Sequence, residues 1–143
     1  MICESFDSRF RFEVFGFRRN AKEDRMSFHS FEDLEVWKRA CSLAVFVYEC
    51  LKDSRDFGLK DQMQRAAVSV ASNIAEGAER GGKDFLRFLT ISRGSASELR
   101  TQAYIGFKVG AISSENMNHI VTETKGINRM LYALSSSLQK TET

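Results

Sequence analysis

Between residues 31 and 139 apolar side chains recur with the three-four spacing of an α-helix, in four stretches separated by short polar or glycine-bearing breaks. The first helix is predicted over 31–53, with Ser30 as its N-cap and Asp33 three residues on. Leu34, Trp37, Cys41, Ala44, Tyr48 and Leu51 make one stripe along it; Val36, Ala40, Leu43 and Val47, with Phe46 beside them, make a second. A surface helix needs only one stripe. The second is therefore expected to be covered by another subunit, which makes Val36, Leu43, Phe46 and Val47 the expected oligomer seam.

Residues 54–58 read as a turn. The second helix is predicted over 59–78, its core stripe being Leu59, Met63, Ala66, Val70 and Ile74, and its many Ala and Ser residues permit close helix approach. Arg80, Gly81 and Gly82 break it. A third helix is predicted over 83–109, with Phe85, Phe88, Leu89, Ser92, Ala96, Leu99, Ala103 and Gly106 on one face and Gly110 at its end. Ser113 caps a fourth, running to about 139, whose stripe is Met117, Ile120, Val121, Ile127, Leu131, Leu134 and Leu138. No strand pattern survives. Four such helices with short connections predict an all-α, antiparallel up-and-down four-helix bundle over residues 30–140.

Residues 1–29 have a different texture. Phenylalanines alternate there with Arg9, Arg11, Glu13, Arg18 and Arg19, without a helical stripe. They are read as an N-terminal extension: a weakly ordered arm or upstream sequence, with Met26 as the expected start. An RNA-binding arm would use Arg and Phe to stack on unpaired bases, but five acidic residues there stand against six basic ones.

Composition narrows the picture in three places. Proline is absent from the 143 residues, as long unbroken helices prefer. The formal charge of +2 gives no global attraction to nucleic acid, so any such attraction has to be local. Cys41 and Cys50, nine residues apart, fall on opposite sides of a helix and cannot bridge each other, so they are expected as buried free thiols in a reducing cytoplasm. No run of about 18 apolar residues occurs, and no membrane partner is expected.

The segment from Gly77 to Asp84 nearly matches the phosphate-binding pattern G-x-x-x-x-G-K-[ST]. Asp84 stands where the magnesium-binding hydroxyl belongs, and Ala71 to Glu76 reads as helix where a strand should lead in. Neither His29 nor His119 has a histidine partner at helical spacing, no CxxC occurs, and no serine sits in a nucleophile elbow. No cofactor and no catalytic residue is expected; a set built across subunits from Arg65, Glu76 and Glu98 is the one enzymatic alternative. On the second helix Arg65, Ser69, Ser72, Asn73 and Glu76 share one flank, the arrangement by which polar groups beside a core fix register or subunit choice. Arg80, Lys83 and Arg87 share one face of the next turn, and Arg93 and Arg100, seven apart, share another. These five are the possible nucleic-acid contacts, and repetition around a ring would multiply their effect.

Four strings, in order, carry a resemblance: Phe31 to Ala40 (FEDLEVWKRA), Gln64 to Gly77 (QRAAVSVASNIAEG), Phe85 to Leu89 (FLRFL) and Gly94 to Leu99 (GSASEL). Over about residues 28–139 the chain resembles the bacterial four-helix bundle family encoded in intervening sequences of 23S rRNA genes. It is also similar to the accessory variability determinant of diversity-generating retroelements. The resemblance implies a ring-like homo-oligomer, a homopentamer with a central channel. It implies as partners RNA or DNA, or a nucleic-acid-processing protein. The shared residues Arg65, Ser69, Asn73, Glu76, Gly77, Ser95 and Glu98 look like bundle and interface determinants. The expected function is thus a non-enzymatic nucleic-acid-associated accessory protein, or alternatively a self-assembling scaffold for another protein.

Overall fold

The structure, a computed structural model, describes residues 29–141. The reading of Met26 as the start, and all but the last residue of the N-terminal extension, lie outside them. A short 3-10 turn, Phe31–Asp33, leads into α1 (Glu35–Leu51), α2 (Phe57–Arg80), α3 (Gly82–Lys108) and α4 (Ser114–Thr141). The protein is all-α, and no strand occurs among the described residues. Among the described residues no helix is long and apolar enough to cross a membrane.

Local chemistry sets the helix ends. Ser30 is a cap, but of the 3-10 turn: its hydroxyl accepts from the Glu32 N–H at 3.4 Å, and α1 starts only after Leu34, which is in extended backbone. Asp56 caps α2 by accepting from Leu59 N–H at 3.1 Å, which starts that helix two residues earlier than the apolar stripe alone implies. Ser113 caps α4 as expected, accepting from Asn116 N–H at 3.1 Å. Between α2 and α3 the chain turns on Gly81 and Gly82, with φ of 71° and 53°, in the left-handed region where a side chain would be strained.

Each helix packs against two others, so the four close in a cycle. The α2–α3 contact is the most extensive and the α1–α4 contact the least. Small residues explain the first. A Cβ added at Gly77 would lie 2.6 Å from Phe88 Cβ and 3.1 Å from Phe85, so the two backbones meet closely there. Nearby, Ser92 donates to the Val70 carbonyl at 2.7 Å from a fully buried position. At the other end of the same pair of helices, Gly106 lies against Leu59 and Ile112.

The α1–α4 contact corrects the expected seam. Val36, Leu43 and Val47 are all buried within the chain, together with Ala40 and Leu51. The Phe46 ring lies 4.2 Å, centroid to centroid, from His119 of α4. Val36, Leu43 and Val47 are core, and Phe46 is half-buried against α4, so this stripe is spent mainly within the chain. The reason is simple: α1 must meet both α2 and α4, and two partners in one chain need two apolar flanks. The more exposed flank is the other stripe, where Trp37, Cys41 and Ala44 are half-buried and Tyr48 is 49% exposed. Arg39 closes the α1–α4 seam with two hydrogen bonds to Glu123, at 2.7 and 3.2 Å. Those bonds raise its pKa above the ordinary value, against the opposing effect of partial burial, so Arg39 stays a cation. Gly126 leaves room for the guanidinium, whose atoms lie 2.5–2.7 Å from where a Cβ would stand.

Candidate functional site

The polar positions singled out on α2 and α3 separate into two kinds. Ser69 and Ser95 share a hydrogen bond of 2.8 Å across the helix pair, and the Asn73 amide donates to the Ser69 carbonyl at 2.8 Å and its hydroxyl at 2.9 Å. With Gly77 they lie on the α2–α3 seam. Arg65, Glu76 and Glu98 are exposed and engage their own helices: Arg65 pairs with Asp61 at 2.9 Å, Glu76 with Arg80 at 3.0 Å, and Glu98 accepts from Gln102 at 3.3 Å. Each of the three is occupied separately, and no hydrogen bond or ion pair joins them.

The five basic residues also divide. Arg80 is held between Glu76 at 3.0 Å and Asp84 at 3.7 Å, so carboxylates offset its charge. Arg80 and Arg87 both place their guanidinium carbons near the Phe88 ring, 5.1 and 5.3 Å from its centroid, while Lys83 is exposed. Arg93 and Arg100 lie elsewhere, on the α3 flank that meets α4, where they line a shallow groove of about 470 Å³.

The opposite wall of that groove comes from α4. Lys125, Asn128, Arg129 and Tyr132 occupy positions i, i+3, i+4 and i+7, so a single helix face carries all four. The lining is therefore four cations, one amide and one phenol, with no carboxylate. None of the four cations makes an ion pair among the described residues; Arg93 instead sits over the Tyr132 ring, 5.2 Å from its centroid. Ser97 ties the two walls together. Its hydroxyl donates to the Arg93 carbonyl at 3.1 Å and accepts from the Asn128 amide at 3.3 Å. Asn128 Oδ1 and Arg93 Nε are buried with no hydrogen-bond partner.

Arg93 and Arg100 were legible from their seven-residue spacing. Their partners Lys125, Asn128, Arg129 and Tyr132 were less so, since a charged face on a bundle helix is ordinarily a solvated one. The signal was there in the i, i+3, i+4, i+7 pattern. What no periodicity reveals is that the two faces confront each other.

Burial pushes the Cys41 and Cys50 thiols up to about 11, so at neutral pH they are protonated and poor nucleophiles. Both are free and half-buried, less enclosed than expected. The near match to a phosphate loop falls on the end of α2, its glycine break and the start of α3, so helix does lead into it. Among the described residues no group of three His, Cys, Asp or Glu side chains could hold a metal ion.

Comparison with known proteins gives a consistent answer. A sequence model described as "23S rRNA-intervening sequence protein" matches residues 32–133. A crystal structure of a protein of unknown function from the S23 ribosomal protein family of Bacteroides thetaiotaomicron is similar to the fold, with a TM-score of 0.66 and 23% identity. The similarity covers 70% of this chain and 97% of that one. No curated protein matches the chain.

Proposed function

The chain belongs to the 23S rRNA-intervening sequence protein family, and from that premise we propose that it is a non-enzymatic accessory protein that holds nucleic-acid phosphates in the groove between α3 and α4. One observation carries the reading: Arg93, Arg100, Lys125 and Arg129 converge on a groove with no lining carboxylate, in a chain whose net charge is only +2. Four cations side by side, without an ion pair among the described residues, repel one another, and a polyanion relieves that repulsion. Arg80, Lys83 and Arg87 contribute little to this reading, because Glu76 and Asp84 offset the charge at their centre. Two free half-buried thiols fit a reducing cytoplasm.

The bundle in this reading runs up and down, with neighbours antiparallel. The pairings of residue 77 with 88, 69 with 95 and 59 with 106 support it, since they advance in opposite directions along α2 and α3. It also assembles as a ring-like homo-oligomer, a pentamer, in which copies of the groove repeat. Its subunit contacts use the open stripe of α1 around Tyr48, and Ile91 and Ile105 of α3, all exposed. Those same exposed apolar groups favour the second reading, a self-assembling protein scaffold that binds no nucleic acid.

Salt titration decides between them. RNA binding that is strong at about 50 mM salt and falls steeply with added salt supports phosphate contact. Undetectable binding at about 50 mM salt, from a protein whose assembly is intact, leaves the scaffold reading.

A further inference from the structure

Resting on the nucleic-acid reading, we propose that the groove takes an unpaired nucleotide of a single strand, with its base stacked on Tyr132 and its flanking phosphates held by Arg100, Lys125 and Arg129. Two observations lead there. The Tyr132 side chain is 62% exposed although Arg93 already lies over its ring, so an aromatic-guanidinium stack stands with open surface beside it. Such stacks are the platforms on which proteins lay unpaired bases. A base inside a duplex has its faces covered by its stacked neighbours, so the open surface of Tyr132 suits a base that is unstacked and free of its partner. Finally, the cations are confined to Arg93–Arg100 on α3 and Lys125–Arg129 on α4, about 10.5 and 6 Å along the two helices, whereas faces that recognise double-stranded RNA by shape span roughly 16 base pairs.

The ligand chemistry, a base plus backbone phosphates, is common to RNA and DNA. The test therefore uses four probes on the full chain: a fluorescein-labelled 12-nucleotide RNA, the DNA of the same sequence, and the duplex of each, followed by anisotropy at about 50 mM salt. Single strands are expected to bind at least tenfold more tightly than either duplex. Tyr132→Ala weakens single-strand binding by about tenfold, in the range of one lost base stack, and weakens duplex binding by less. Tyr132→Phe keeps the ring and retains the affinity. Circular dichroism checks that the exposed substitution leaves the fold in place. A preference for the RNA or the DNA strand identifies the source and sustains the proposal. Equal affinity for strand and duplex, or a Tyr132→Ala protein that binds the strand as before, overturns it while the phosphate-binding reading survives. Absence of binding to all four probes removes both.

Discussion

At Gly77 the α2 backbone comes so near α3 that even a methyl group has no room, its nearest neighbour being Phe88 Cβ, which is fixed to a backbone. Gly77→Ala is expected to force the helices apart and cost about 1–3 kcal/mol. At Gly126 the obstacle is the far end of Arg39, which can swing aside. Gly126→Ala therefore forfeits mainly the partly buried Arg39–Glu123 pair and costs about 1 kcal/mol. Urea denaturation of the two variants measures the contrast, and equal costs would contradict it. The thiols give a pH-linked expectation. Their folded pKa values of about 11 lie above the ordinary value, so they contribute stability that is full below about pH 8.5 and is lost as pH rises towards 11. At pH 8, iodoacetamide should label Cys41 and Cys50 roughly a hundredfold more slowly than a free cysteine peptide, the ratio of thiolate fractions. Peptide mapping reads this directly.

Among the elements, α1 teaches the most. All four helices were legible from the periodicity of their apolar residues, and their ends fell within a few residues of expectation because Asp56, Ser113 and the Gly81–Gly82 pair act locally. The roles of the two α1 stripes were not legible, since both obey the same spacing and only the positions of α2 and α4 decide which faces inward. The structure puts the aliphatic stripe inside and leaves the aromatic one half open. Adjacent substitutions test this. Val47→Glu buries an unpaired charge at a fully enclosed site and is expected to cost more than about 4 kcal/mol, abolishing a cooperative thermal transition by circular dichroism. Tyr48→Glu, one residue on, is expected to leave that transition within a few degrees of the parent. If the open stripe contacts a neighbouring copy, the same Tyr48→Glu change lowers the mass seen by light scattering.

For the molecule as a whole, the groove sets how binding responds to salt. With Arg100, Lys125 and Arg129 on phosphates of a single strand, the slope of log affinity against log salt is about −2.1, an affinity loss of about twentyfold between about 50 and 200 mM. Lys125→Ala should flatten that slope by about 0.7, whatever the strand's sequence. Net charge alone hid this property, because nineteen acidic residues nearly cancel twenty-one basic ones and the groove is visible only once α3 and α4 are side by side. The same crowding of like charges has a thermodynamic corollary. A ligand that occupies the groove of the native chain alone draws the folding equilibrium with it, raising stability by about 2.7 kcal/mol at a hundred times its dissociation constant. Heat resistance thus becomes a meter for occupancy: inorganic polyphosphate should lift the melting point of the parent. Lys125→Gln should lift it slightly in the absence of any ligand, and blunt the response when the polyanion is added.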